Sequence, residues 1–530
     1  MAEAAAPERQ LKRALGPFAL TCIGIGAIIG TGIFALAGTA AAGEQAHAIG
    51  SIWKTPVLNF FQAWITHAPL VFGRPGAGPA VMLSFIVAGI ACGFAALCYA
   101  ELAAMIPVSG SAYTYSYATM GEIVAWIIGW DLILEYAVGN MAVAVGWSGY
   151  FVRLCGSAQI PWLFPDGIKF PLWLVNDART ANDIVTTGGD ALKNYSSTGL
   201  PLIGGIPIAV NLPAFLIVAA VTALLIYGIR ESARTNSTIV VIKLAVVVFV
   251  IAFGAFMVHP SNWHPFLPSG FGGVMSGAAI VFFAFIGFDA VSTTAEEAKN
   301  PQRDMPIGII ASLIICTVLY VLMAAVITGM RMYTTYLGDP AAVATAFAGH
   351  RLAQALISAG ALAGITSVLL VFQLGQPRIF MAMARDGLLW PYFAKIHPRF
   401  RTPYITTIWT GIVVGGVAAL VDIGSLADLT NIGTLFAFVL VCMGVIILRR
   451  TQASRARPFR VPLVPLFPIL GVLFCFILML SLPLETWGRF FVWLAIGLAI
   501  YFFYGVHHSK LRLGVDTGIT EDTPPPIIKT

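Results

Sequence analysis

The sequence predicts an all-α polytopic membrane protein with twelve transmembrane helices. Of its 530 residues, 58% are hydrophobic and 10% are charged, and the mean hydropathy is +0.86. An ordinary soluble domain has a far more polar composition. Apolar runs of roughly 17 to 25 residues, the length that crosses a bilayer as a helix, also recur along the chain.

The runs are spaced along almost the whole chain. They begin near Phe18, Val81, Ile123, Ala209, Ile239, Gly273, Ile307, Ala353, Thr406, Ile432, Val464 and Phe490. This spacing predicts a short cytoplasmic segment (1–16), a single transmembrane domain (17–508) and a cytoplasmic tail (509–530). About two thirds of the 30 Lys and Arg residues fall in the connections that then lie inside, as the positive-inside rule requires.

The charge distribution therefore predicts a multi-pass protein of the cell (inner) membrane with both termini cytoplasmic. The net charge of +6 reflects this topology and requires no nucleic-acid partner. The seven cysteines lie mostly in apolar runs without a CxxC pair, which predicts no metal site. Scattered histidines and the lack of a phosphate-binding loop argue against an enzyme or an ATP-driven pump, so we expect no cofactor.

Two outside connections, 43–79 and 157–208, are long and rich in turn-forming residues. We expect surface loops with short helices there. Trp53, Phe60, Phe61 and Trp64 have helical spacing and predict an amphipathic helix at the membrane interface. The alternative, a docking surface for another subunit, stays open.

The first apolar run contains the sequence GIGAIIGTGIF at 24–34, and the sixth contains Gly287 and Asp289 in mid-membrane. Close helix packing is one explanation for such glycines. However, breakable helices at corresponding positions of two halves are typical of secondary transporters with inverted repeats and a central site. Freed N–H groups would bind a carboxylate and freed carbonyl groups an ammonium, which predicts an amino acid substrate.

Charged residues inside membrane spans are costly and mark functional candidates. They are Asp131 and Glu135 in the third run, Lys243 in the fifth and Asp289 in the sixth, with Glu101 near the inner end of the second. Asp131 and Glu135 share a helix face and could form a gating or polar network, or a structural contact with a neighbouring helix. Lys243 could snorkel to the inner boundary, replace a coupling ion or carry a proton.

At this point the motifs resemble those of a known family. They are GIGAIIGTGIFALAG at 24–38, YAELAAMIPVSGSAYTY at 99–115, GWDLILEYAVGN at 129–140, FFAFIGFDAVSTTAEEAKNPQRDMPIGI at 282–310, and the segment 376–391. The chain resembles the amino acid-polyamine-organocation (APC) superfamily of permeases, and within it the bacterial relatives of the cationic amino acid transporters. Trp390 departs from the last motif, and the two long outside connections depart from the compact pattern.

The resemblance implies a five-plus-five inverted repeat, about 17–258 and 273–450, with helices 1 and 6 interrupted and two additional helices at 462–508. It implies that the substrate carboxylate is bound by backbone at Ile28, Gly30, Thr31 and Gly32, and the ammonium by carbonyls of Phe283, Ala284 and Ile286. Asp289 would line the site. Lys243 would occupy the place of the sodium site in sodium-coupled relatives, which favours a proton gradient over sodium.

The sequence thus predicts a proton-coupled amino acid symporter that works by alternating access on cationic or a broad range of amino acids. A neutral amino acid permease and an exchanger are the alternatives within the transporter class. An amino acid sensor with a transporter fold is the alternative outside it. The particular amino acid, the oligomeric state and a small accessory membrane subunit are left open.

Overall fold

A computed structural model describes residues 15–44, 52–67, 69–105, 112–113, 116–117, 120–157, 167–187, 192, 195–204, 206–227, 233–398, 400, 402–510 and 512. Almost all of the predicted terminal segments 1–16 and 509–530 lies outside these residues. Parts of the two long outside connections and of the motif at 99–115 also lie outside them.

The described residues are mostly helical. The first half contains α1 Pro17–Ile28, α2 Ala37–Ala42, α3 Val57–Thr66, α4 Val81–Met105, α5 Glu122–Ser157, α6 Leu172–Val175, α7 Ala178–Thr187, α8 Leu212–Tyr227 and α9 Ala233–Ala255. The second half contains α10 Gly270–Val281, α11 Pro301–Met330, α12 Ala342–Ala346, α13 Arg351–Arg385, α14 Tyr404–Ala418, α15 Ile423–Thr451, α16 Leu466–Leu480, α17 Leu484–Ile500 and α18 Val506–His508.

Irregular helices join several of these elements. π-helical turns occur at Gly32–Leu36 and Tyr501–Gly505. Short 3-10 helices occur at Gly78–Ala80, Pro260–Trp263, Phe282–Phe285, Phe288–Glu297, Tyr333–Tyr336 and Pro391–Ala394. Two antiparallel pairs of short strands lie in the long outside connections: β1 Gly43–Glu44 with β2 Arg74–Pro75, and β3 Leu202–Ile203 with β4 Ile206–Pro207.

The helices have the lengths and compositions expected of a multi-pass membrane protein. Within the described residues, 7 helices are long and apolar enough to cross a membrane: α4, α5, α9, α11, α13, α15 and the combined segment Leu484–His508. The segment Pro17–Ala42 is a pair of helices bent by 44°, and α8, α10, α14 and α16 are shorter apolar helices. The prediction of a polytopic helical membrane protein is therefore confirmed.

Helix α5 lies at the centre of the bundle. Its most apolar stretch is 89% buried within the protein, against 22% for the corresponding stretch of Leu484–His508. It packs against α13 and α15, while α4 packs against α10 and α11. Polar side chains on α5 are thus enclosed by protein, and they require partners there or a bound ligand.

The predicted amphipathic helix in the first outside connection is present in part as α3, which contains Phe60, Phe61 and Trp64, whereas Trp53 lies before it. Its aromatic side chains are exposed, Trp64 at 75% and Phe61 at 46%. A row of exposed aromatic side chains beside a membrane bundle suits the bilayer interface. The helix is confirmed, and its position at the interface stays a prediction.

Arg74 is the main difference from the expected outside loops. The sequence places Arg74 in a surface connection, but the structure buries it, with only 1% of its surface exposed. Pairing of β1 with β2 brings it to α15, where its Nη1 lies 2.7 Å from both carboxylate oxygens of the buried Asp428. Glu44 is 3.7 Å from the same nitrogen. The connection is therefore anchored in the protein interior by a charged pair.

The second outside connection also forms ion pairs at α15. Arg179 of α7 lies 3.2 Å from Asp422 and 3.4 Å from Glu44. Asp422 caps α15 by accepting the Ser425 N–H at 2.9 Å. Burial alone would raise the pKa of Asp422, but the Arg179 guanidinium and the Ser425 N–H lower that pKa below its ordinary value. Both long connections thus converge on the beginning of α15.

We expect Arg74→Met to destabilise the protein strongly. Removing one partner of a buried ion pair leaves the other charge buried and unpaired, which typically costs about 3–5 kcal/mol. The matched control is Arg489→Met, because Arg489 is 44% exposed and lies 3.6 Å from Glu485. An exposed pair of this kind contributes about 0–1 kcal/mol. Thermal unfolding in detergent measures both, and equal losses of stability would contradict the anchoring role of Arg74.

Candidate functional site

The first membrane segment is interrupted in its middle. Helix α1 ends at Ile28, Ile29 is extended (φ −74°, ψ 104°), and helical structure resumes at Thr31 and Gly32. The last carbonyl groups of a helix and the first N–H groups of the next have no partners within those helices. Since these residues are buried within the bundle, the freed groups require other partners.

Lys243 satisfies two of the freed carbonyl groups. Its Nζ donates to Gly26 O at 2.6 Å and to Ile29 O at 3.0 Å, and its side chain is fully buried. A cation at the carboxyl end of a helix is favoured by the helix dipole. The ammonium therefore lies at the interruption, and snorkelling to the inner boundary, one of the alternatives from sequence, is wrong.

The sixth segment is interrupted as well. Helix α10 is followed by the 3-10 turn Phe282–Phe285, an extended Ile286 (ψ 134°) and Gly287 at φ 112°. Only glycine adopts that φ readily, and a Cβ there would also lie 2.9 Å from the Ala27 carbonyl oxygen. The break predicted from Gly287 and Asp289 is therefore present.

The two interruptions are in direct contact. A methyl group at Gly32 would overlap the Cα of Ala284, so this approach requires a glycine. The hydroxyl of Tyr320, on α11, lies 2.9 Å from Ile28 O and 3.0 Å from Ala284 O. It thus bridges the first break and the sixth. Sequence analysis missed Tyr320, for which the only signal is a phenol in the middle of a largely apolar span.

Thr31 carries a buried hydroxyl beside the first break. Its side chain is 1% exposed, and its Oγ1 has no hydrogen-bond partner among the described residues. The methyl group of Thr31 packs against Gly146 of α5. A buried hydroxyl without a protein partner costs free energy unless a ligand or water satisfies it. Thr31 is therefore suited to contact a polar ligand.

The three predicted acids are all buried in the protein interior. Asp131 and Glu135 of α5 and Asp289 are each at most 3% exposed. Glu135 lies within electrostatic range of both Asp289 and Asp131. The carboxylate oxygens of Asp131 accept no hydrogen bond from the part of the chain that the structure describes. The structure therefore buries all three acids, with Asp131 and Glu135 on α5 and Asp289 in Phe288–Glu297.

The sequence matches a protein family over nearly its whole length. The model of that family, described as amino acid permease, matches residues 15–501. The chain is 46% identical to the branched-chain amino acid permease BcaP of Bacillus subtilis, over 95% of this chain and 96% of that protein. It is 42% identical to the methylthioribose transporter of the same organism, with the same coverage of both chains.

A plant protein is also similar. The chain is 39% identical to the vacuolar cationic amino acid transporter 2 of Arabidopsis thaliana, over 83% of this chain and 60% of that protein. The matching proteins are transporters, and the two facing breaks occur in a bundle of apolar helices. The protein is thus a transporter and not an enzyme, and the chain belongs to the amino acid permease family of the APC superfamily.

Proposed function

We propose that the protein is a secondary active transporter that takes up amino acids together with protons by alternating access. The observation that carries the proposal is the contact between the two interrupted segments at Gly32 and Ala284. One break offers N–H groups and the other offers carbonyl groups, so the pair complements the two charged groups of an amino acid.

The first break is the proposed carboxylate site. Ile28 ends α1 directly before the break, and the backbone from Gly30 through Thr31 and Gly32 leads into a new helix, whose amino end attracts negative charge. The buried Thr31 hydroxyl adds a donor that has no partner among the described residues. A carboxylate bound there would satisfy both kinds of group.

The sixth break is the proposed ammonium site. Carbonyl groups of Phe283, Ala284 and Ile286 lie at the end of the 3-10 turn, where helical hydrogen bonding stops. Ala284 O accepts from Tyr320 and Phe283 O accepts the Ile286 N–H at 3.3 Å. An arriving ammonium would compete for these acceptors. Substrate binding would thus alter the contacts that join the two breaks.

The proposed coupling ion is the proton. A sodium site at the first break would need carbonyl oxygens, but the Lys243 ammonium already binds those of Gly26 and Ile29. Lys243 can lose and regain a proton, whereas a sodium site would have to displace it. The buried acids Asp131 and Glu135 are further candidates for a gating or proton-conducting network.

The proposed architecture has twelve spans. It combines the 7 long helices, the bent segment Pro17–Ala42 and the four shorter apolar helices α8, α10, α14 and α16. Spans 1–5 and 6–10 would form the inverted repeats, with the two interrupted helices at corresponding positions. The distribution of basic residues supports cytoplasmic termini.

The range of substrates follows from the surroundings of Asp289. We propose cationic or a broad range of amino acids, because Asp289 would supply negative charge near the ammonium site. The second candidate is a neutral, branched-chain substrate. It is supported by the 46% identity to a branched-chain permease and by apolar side chains beside the first break, including Val368.

Counterflow in proteoliposomes tests the transport proposal and the role of Asp289 together. We expect exchange of labelled amino acid across the membrane, and we expect Asp289→Asn to lower arginine transport at least tenfold while leucine transport changes less. Asp304→Asn is the control, because Asp304 is also buried but lies at the start of α11. Unchanged arginine transport in Asp289→Asn would refute the pairing, and absence of any exchange would favour a sensor.

We expect Lys243→Ala to reduce proton-driven accumulation of substrate to background, because the mutation removes the ionisable group at the first break. Counterflow without a gradient should persist in a folded variant. Lys243→Met is the second variant, because it also removes the ionisable group but retains more of the side-chain volume. Lys395→Ala, which alters an exposed lysine, is the control. Uptake that persists unchanged and follows a sodium gradient would show that the coupling assignment is wrong.

The Tyr320 bridge is tested with a matched pair of tyrosines. Tyr320→Phe and Tyr336→Phe each remove a buried hydroxyl that donates to backbone carbonyl groups. The Tyr320 hydroxyl contacts Ile28 O and Ala284 O, and the Tyr336 hydroxyl contacts Ile327 O. Each should cost about 0.5–1.5 kcal/mol of stability. Only Tyr320→Phe should change transport, by about tenfold, because only Tyr320 contacts both breaks. Equal effects on uptake would contradict this role.

A further inference from the structure

A large groove lies beside the beginning of α11, which follows the sixth break in the chain. Its volume is about 680 Å³. Its polar end is formed by Asn300, Gln302 and Arg303, and its wall by Ile307, Ile310 and Ile314. Pro458 and Phe459, from the connection between α15 and α16, close the other side.

The wall of the groove is suited to acyl chains. Ile307, Ile310 and Ile314 recur at three- and four-residue spacing and so form one face of the helix. Ile307 and Ile314 are 41% and 58% exposed, on a helix apolar enough to cross a membrane. In a bilayer this face is covered by lipid.

The polar end of the groove is positively charged. Arg303 is exposed, and Lys299 and Arg460 each directly adjoin a lining residue in the chain. The described lining residues include no acid. Asp304 belongs to the same helical turn, but it is buried and accepts the Asn300 N–H at 3.2 Å. The positive end of the α11 dipole also favours an anion at this position.

We propose that this groove binds an anionic phospholipid. The phosphate would contact Arg303 together with the side chains of Gln302 and Asn300, and the acyl chains would lie along the isoleucine face. Basic pockets beside apolar helix faces recognise anionic headgroups in this way. In the proposed topology the groove opens to the cytoplasmic leaflet.

The groove is connected to the first interrupted segment. The Lys299 N–H donates to Leu15 O at 2.8 Å, directly before α1, and Gly308 of α11 packs against Leu20 of α1. A lipid that orders residues 299–307 therefore also stabilises the beginning of α1. Lipid binding would bias the position of the half-helix that carries Gly26 and Ile28.

Thermal unfolding of the full-length protein in neutral detergent tests the site. We expect phosphatidylglycerol to raise the unfolding temperature more than phosphatidylcholine, and inorganic phosphate to have no comparable effect. Arg303→Gln should weaken the response to phosphatidylglycerol about fivefold in lipid concentration, as expected for one basic residue at a membrane surface. Ile310→Trp, which fills the wall, should weaken the response to both lipids.

The control is Arg450→Gln, an exposed arginine at the end of α15 that does not line the groove. It should leave the response to phosphatidylglycerol unchanged. The proposal is overturned if the two lipids stabilise equally, if phosphate alone reproduces the effect, or if Arg303→Gln and Arg450→Gln respond alike. Because the readout is binding and not transport, its failure would leave the proposed function intact.

Discussion

The hydrogen bonds from Lys243 to Gly26 and Ile29 satisfy carbonyl groups that an interrupted helix would otherwise leave unpaired in hydrocarbon. Tyr320 does the same for Ile28 and Ala284. An interrupted segment is therefore stable only while α9 and α11 pack against it. The site is thus a property of the assembled bundle, because its backbone groups depend on side chains from helices that are themselves continuous.

Helix α15 contacts both long outside connections and also packs against α5, the helix that carries two of the buried acids. At its beginning, Asp422 binds Arg179 of the second outside connection, and less than two turns further Asp428 binds Arg74 of the first. Further along, α15 packs against α5, which carries Asp131 and Glu135. A single helix thus contacts both long connections and packs against the helix that carries Asp131 and Glu135, so a movement of α15 would affect them together.

Local patterns in the sequence predicted the helices and the two breaks, because hydropathy and glycine spacing act over a few residues. The same patterns could not predict the partners. Tyr320 lies 292 positions from Ile28, and Arg74 lies 354 positions from Asp428. Their roles arise from tertiary packing, which places a phenol at a break and draws a loop arginine inward. Lys243 is an intermediate case. The cost of burying a lysine in the membrane identified it as a functional candidate, but the sequence did not indicate which carbonyl groups would accept its hydrogen bonds.

The position of Lys243 also bears on how the protein is made. A lysine costs about 2.5–3.5 kcal/mol on insertion at the centre of a membrane helix and less towards its ends, and Lys243 is the sixth residue of its apolar stretch. The stretch Thr238–Ala255 offsets this cost with a mean hydropathy of 2.7. Its acceptor at Gly26 lies 217 residues earlier in the chain and is synthesised first. In the proposed topology the acceptor at Gly26 therefore precedes its donor by three intervening spans, α4, α5 and α8.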